Sequence, residues 1–388
     1  MAASPSILIG GSPESPAATI VNWPPLLVPT AVPATSKRDG RLDFLRGLCL
    51  IVMTIDHLPS MSLHGFSYET LGFFTSAEGF VLICGITCGL VYGGGDAVQT
   101  KRILRRCGQV ALTYALLTLV ISMVSLANGF ITWKHLMSGG ILDMSAGQAG
   151  ILLMYVAYLL ALPLVIRQFH ASNGRRLLCA SFGLWLVAQW RIGPQVSVGY
   201  LLAWQFLFVT GAWIGYARRH RVPIPGHSSK VALKVAAVCC IALFFLRHPL
   251  VHQYIIIVGW EITAKDRLGI VRLLNLAVFA FLIARIPRSL DEKWGKLGLS
   301  CATSFLGRHS LQVFAWHALI VGACHFYGAR WTGALWSLQI LMTGIVISTL
   351  FVPAFLHEQW QTRSRRPSVR DGRADLMEIM RFRAGSCP

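Results

Sequence analysis

Ten apolar runs constrain this chain more than any other feature: about 43–63, 70–93, 107–127, 149–167, 176–193, 199–217, 232–248, 269–286, 303–325 and 332–356. A helix that crosses a bilayer needs about 20 predominantly apolar residues, and each run approaches or exceeds that length. The runs are too long and too continuously apolar for barrel strands. In hydrocarbon each backbone polar group must also be satisfied inside its own segment, which leaves helices. Trp, Tyr and Phe cluster near several run ends, as interfacial anchors do. With 54% hydrophobic and 13% charged residues over 388 positions and a mean hydropathy of +0.58, the chain is not an ordinary soluble domain. The expected fold is an all-α polytopic membrane protein with about ten transmembrane helices in one bundle.

The net charge of +19 would suggest nucleic acid in a soluble protein, but its distribution gives it another meaning. With a cytoplasmic N-terminus, 26 of the 35 Lys and Arg fall in cytoplasmic segments, seven fall outside, and Arg46 and Arg308 lie within runs. The positive-inside rule therefore puts both termini in the cytoplasm, and no nucleic-acid partner is expected. The 249–272 loop is the exception, with Lys265, Arg267 and Arg272 on the outer side; within it, 253–260 is apolar but too short to span. Residues 1–36 are rich in Pro, Ser and Ala with one acid and no base, which reads as a disordered lead-in without the basic start of a cleavable signal peptide. The transmembrane domain then covers 37–356. Residues 357–388 form a basic cytoplasmic tail suited to resting on anionic lipid. The ten cysteines have no ligand-type spacing and read as small buried hydrophobes, so neither metal nor disulfide is expected.

Within the first run, Asp43, Arg46 and His57 fall on one helical stripe. At about 100° per residue Arg46 and His57 lie within about 20° of each other, roughly 16 Å apart along the axis. Charge at such depth costs on the order of 2.5–3.5 kcal/mol per residue, which marks it as functional by default. Asp56 points about 100° away from His57 and faces another helix or water. Glu78 in the second run either accepts a bond from His57, holding its tautomer, or is a structural acid paired to an Arg or a backbone donor. Gly85, Gly89 and Gly93 on the same helix fit close helix packing. The ninth run opens with Gly307-Arg308-His309-Ser310, which either offers donors to an anion or is a basic anchor with a capped helix. His317, taken alone, reads as a satisfied core residue. Trp204-Gln205 in the sixth run either glues helices or meets substrate. The 129–148 loop, with Trp133, Lys134, His135 and Asp143, has groups suited to a sugar. No Walker loop, dinucleotide fingerprint or metal-spaced His cluster is present in the sequence.

Five ordered blocks then carry a resemblance. They are Arg41-Leu-Asp-Phe-Leu-Arg-Gly through Ile55-Asp-His-Leu-Pro59, Ser76-Ala-Glu-Gly-Phe-Val-Leu-Ile-Cys-Gly85, Trp204-Gln-Phe-Leu-Phe, Lys265-Asp-Arg-Leu-Gly-Ile-Val-Arg-Leu-Leu274 and Leu306-Gly-Arg-His-Ser-Leu-Gln-Val-Phe314. Over about 38–355 the chain resembles the OpgC family of glucan succinyltransferases, within the membrane acyltransferase type 3 superfamily. The stretch 143–155 departs from the family pattern in lacking an acid just after its Gln. The resemblance implies an enzyme of the bacterial inner membrane that takes an acyl group from cytoplasmic acyl-CoA, succinyl-CoA or acetyl-CoA, to a hydroxyl of a periplasmic glucan or other glycan, with no bound cofactor. It carries the catalytic role to His57 and a required role to Arg46. Asp56 and Glu78 are the expected companions of His57. Asp43, Arg308, His309 and Ser310 are placed toward the donor, with Trp204 and Gln205 as further binding candidates. Arg267 and Arg272 would meet an anionic acyl group or glycan. The competing class is a proton-coupled transporter or flippase that uses Asp43, Arg46, Asp56, His57 and Glu78 as a relay.

Overall fold

Asp39 starts the first helix: its Oδ1 accepts from the Arg41 backbone N–H at 3.1 Å, satisfying one of the donors that every helix start leaves open. The helix ends at His57, with Leu58 in extended conformation (φ −75°, ψ 109°). Pro59 follows, and a residue before proline is pushed away from helical geometry. The first helix thus stops short of residue 63, where the apolar run ends, and His57 is its last residue. The computed structural model describes residues 39–58, 63, 72–94, 97–129, 150–190, 196–223, 229–247, 262–286, 298–327 and 335–364.

Every regular element among these residues is an α-helix. In chain order they are α1 (Gly40–His57), α2 (Ser76–Tyr92), α3 (Ala97–Ala127), α4 (Gly150–His170), α5 (Gly174–Gln189), α6 (Val196–Arg219), α7 (Lys230–Arg247), α8 (Ile270–Ala284), α9 (Gly298–Arg308), α10 (Ser310–Tyr327), α11 (Trp336–Thr349) and α12 (Phe351–Ser364). A helix lies on each of the ten apolar runs. Four helical stretches are long and apolar enough to cross a membrane, 99–127, 150–170, 199–219 and 336–364; Ser76–Tyr92, Ile270–Ala284 and Ser310–Cys324 are shorter apolar helices. Helix outruns hydropathy at several ends. The third starts ten residues before its run, and α12 continues to Ser364, into the segment read as tail. The 129–148 loop, residues 1–36 and the 253–260 piece lie outside the described residues.

Two glycine contacts set the packing around the site. A Cβ at Gly89 would strike the Ala212 carbonyl, and one at Gly215 the Ile86 carbonyl, so α2 and α6 meet backbone to backbone. The Gly-x-x-x-Gly spacing read on α2 is answered by Gly211 and Gly215 on α6. In the same way Gly47 faces Thr303 O and Gly307 faces Asp43 O, joining α1 to α9. The polarity of the bundle is inverted relative to a soluble protein. Asp43, Thr54, Glu78, Arg272, Asn275, His309 and His317 are buried, while α7 exposes Val231, Val235, Val238, Ile241 and Phe245 along one side. An apolar stripe of that kind belongs against lipid.

Candidate functional site

The stripe on α1 meets different neighbours at its two ends. At the Arg46 end, Nη1 donates to Asp43 Oδ1 at 3.1 Å and Nη2 donates to Thr87 Oγ1 on α2. The Thr87 hydroxyl gives its own proton to Ile83 O at 2.9 Å, so its oxygen is left to accept from the guanidinium. The Asp43 and Arg46 side chains are 6% and 11% exposed, and the helix turn that carries them lies against α9 through Gly47 and Gly307.

At the other end, His57 Nδ1 lies 2.7 Å from Met53 O, one turn back. A carbonyl only accepts, so Nδ1 carries the proton and, in the neutral ring, Nε2 is the basic nitrogen. His57 is half-buried. Its ring meets the His317 ring of α10 edge to face, 5.8 Å between centroids and 66° between planes. His317 is 0% exposed and its Nδ1 lies 3.0 Å from Thr54 Oγ1. Thr54 gives its proton to Leu50 O at 2.8 Å, so its oxygen accepts from His317 Nδ1–H. The other nitrogen of His317, Nε2, is buried and has no hydrogen-bond partner among the described residues. His317 is therefore a half-satisfied residue rather than the satisfied core histidine expected. In the sequence its one signal is a polar residue in an apolar helix.

Glu78 takes the second of its two expected places, that of a structural acid paired to an arginine and a backbone donor. Its Oε1 accepts from Arg272 Nε at 2.7 Å and lies 2.6 Å from Nη2. Its Oε2 accepts from the Thr75 backbone N–H at 2.6 Å. Both oxygens are committed to a helix cap and a buried arginine, so Glu78 is held by Arg272 and Thr75 and not by His57. Arg272 in turn is not a loop cation. It sits in the first turn of α8, 1% exposed, because charge at that depth is stable only beside its counter-ion. The next turn of α8 is tied down as well, with Asn275 Oδ1 accepting from Phe73 N–H at 2.6 Å.

The basic stretch that violates the positive-inside rule is thus largely compensated within the protein. Arg267 donates to Gln189 O at 3.1 Å and its carbonyl accepts from Gln189 Nε2 at 2.8 Å, with Asp266 3.7 Å from its Nε. Burial pushes the Lys265 ammonium below the ordinary lysine range, while Glu78 and Asp56 pull it back up. Asp56, half-buried, thus faces the field of Lys265.

The remaining predicted residues separate into other places. Arg308, His309 and Ser310 do not sit together in one helix start: Arg308 closes the eleven residues of α9, His309 sits at the break, and Ser310 opens α10. Arg308 is exposed over the Phe305 ring. His309 Nδ1 lies 2.8 Å from His357 Nδ1 and its Nε2 lies 3.0 Å from Glu358, both on α12. Gln205 exchanges two hydrogen bonds with Ser181 of α5, at 2.6 and 2.7 Å, and joins helices. Trp204 is fully buried and stacks on Tyr200. Among the described residues no group of three or more His, Cys, Asp and Glu is placed to hold a metal ion.

This geometry offers one basic nitrogen on a half-buried histidine at a helix end, and an arginine bound to an acid at the other end of the same helix. No curated protein and no solved structure matches the chain. A sequence model of one protein family, described as OpgC protein, matches residues 38–362, most of the chain and all but the last two residues of its helical part. The chain belongs to the OpgC family.

Proposed function

We propose that this protein is an integral membrane O-acyltransferase that moves an acyl group, succinyl before acetyl, from cytoplasmic acyl-CoA to a hydroxyl of a periplasmic glucan. The observation that carries the reading is His57: its Nδ1–H is tied to Met53 O, so Nε2 presents a lone pair at the end of α1. Membership of the OpgC family supports the glucan as acceptor, and the exposed apolar faces support the membrane. In the reaction, His57 Nε2 takes the proton of the attacking hydroxyl as its oxygen bonds to the thioester carbonyl carbon. The C–S bond breaks, and the proton on His57 passes to the departing sulfur to give the free thiol. An imidazole with an ordinary pKa near 6.5 suits both transfers at neutral pH, worth about 10²–10⁴-fold.

Arg46, roughly 16 Å before His57 along α1, is assigned to the polar part of the donor, with the cytoplasm on its side and the acceptor on the side of His57. Ten spans and both termini in the cytoplasm of an inner membrane complete the reading. Asp43 and Glu78 are each held by an arginine, which favours structural roles for them over a proton relay. Mass spectrometry of periplasmic glucans from cells with and without this chain tests the proposal. Acyl-substituted glucan that depends on the chain is the expected result; identical glucans would contradict it.

A further inference from the structure

His317 is the one buried histidine beside His57, among the described residues, for which the proposed reaction has no use. Three observations single it out. It is 0% exposed, its ring lies against the His57 ring, and its Nε2 has no hydrogen-bond partner among the described residues although it is fully buried. A buried acceptor left unmet is costly, and native structures keep few of them. The Thr54–Leu50 bond makes the vacancy specific. With the Thr54 proton on Leu50 O, His317 must carry its own proton on Nδ1, so the open nitrogen is a lone pair and not a second N–H. The structure pins this tautomer from α1, the helix that carries His57.

We propose that His57 and His317 form a two-histidine proton site, in which the His317 Nε2 lone pair stabilises the N–H that His57 gains from the attacking hydroxyl. This inference rests on the acyl-transfer reading and deepens it. As the hydroxyl O–H breaks, its proton goes to His57 and its electron pair forms the new C–O bond. The C–S pair leaves on sulfur, which then takes the proton back from His57. His317 ends each turnover as it began and touches no substrate, which makes it a positioning residue. Two charged rings at 5.8 Å repel, so the pair holds one proton at a time. Among the described residues, the other charged groups near this end of α1 are Asp56 of α1, Lys265 of the 262–269 stretch, and the Glu78–Arg272 pair between α2 and α8. His57 is the titratable group whose charge acts on His317.

The test uses the full chain in lipid vesicles, with succinyl-CoA or acetyl-CoA as donor and a soluble β-glucan as acceptor. His317→Asn keeps an amide N–H toward Thr54 and removes the Nε2 lone pair. It is expected to lower kcat by about 10-fold or more, a part of the about 10²–10⁴-fold that general-base catalysis supplies, with KM for donor and glucan and the thermal midpoint unchanged. Thr54→Val, which frees the His317 ring to change tautomer, is expected to give a smaller loss of kcat. Wild-type kcat in His317→Asn would overturn the proposal. If the wild type transfers neither acyl group, or His57→Ala works as well as the wild type, the acyl-transfer reading is what fails. The pair is then judged by ring-nitrogen NMR of the histidine-labelled protein in bilayers. A titration midpoint of His57 that falls in His317→Asn supports the pairing, because a neutral acceptor stabilises the cation; an unchanged midpoint overturns it.

Discussion

The Glu78–Arg272 pair and the His57–His317 pair are both clusters of polar side chains inside an apolar bundle, and they are built on opposite terms. Glu78 spends both carboxylate oxygens within the fold, one on Arg272 and one on the Thr75 N–H that starts α2. The histidine pair commits two Nδ1 protons to α1, at Met53 O and Thr54 Oγ1, and His317 keeps an Nε2 with no hydrogen-bond partner among the described residues. A buried carboxylate with both oxygens committed is structure, and its value lies in not being broken. A basic nitrogen on a half-buried ring beside a second, unmet nitrogen is equipped to receive a proton. The distinction separates two duties: α8 locks α2 in place through Arg272, and the proposed proton transfer falls to α1.

Breaking the satisfied half has the largest expected effect. Arg272→Met leaves Glu78 charged and unpaired in the interior and is expected to cost about 3–5 kcal/mol, read as loss of folded protein by denaturant unfolding in detergent. Glu78→Gln in the same chain restores part of the loss. At the other end of α1, Arg46→Lys keeps the charge but cannot reach Asp43 and Thr87 together, as a planar fork does. A cost of about 1.5–3 kcal/mol is expected, with a larger fall in donor binding than in kcat when initial rates are fitted at varied acyl-CoA. Gly89→Val forces a side chain into the Ala212 carbonyl and is expected to cost about 1–3 kcal/mol, visible as a lower thermal midpoint with both α1 sites chemically intact. Gln205→Leu is the mildest: losing the Ser181 bonds costs about 0.6 kcal/mol for an interhelical contact in a membrane, and transfer rates stay at the wild-type value.

The sequence already carried much of this. Each apolar run holds a helix because a long apolar segment satisfies its backbone within itself, and the small-residue spacing on α2 foretold its close approach to α6. The Asp43–Arg46 bond follows from i,i+3 spacing on one helix. What could not be read was long-range partnership. Arg272 looks like a loop cation until α8 begins two residues before it, and only the meeting of α8 with α2 shows that Glu78 waits there. His317 was invisible for the same reason: its significance is the Thr54 hydroxyl and the His57 ring, 263 and 260 positions away. Helix ends were misjudged where polar residues extend a helix beyond its apolar run, as at α3 and α12, or where proline cuts a run short, as at His57.

The account stands on proton transfer at His57, and the direct test is acyl transfer by the wild type and by His57→Ala at equal levels of folded protein in vesicles. Labelled succinyl-CoA goes on the Arg46 side and glucan on the His57 side. The account predicts label on glucan hydroxyls with the wild type, and a rate lower by about 10²–10⁴-fold with His57→Ala at an unchanged thermal midpoint. Equal labelling by the two proteins would contradict it.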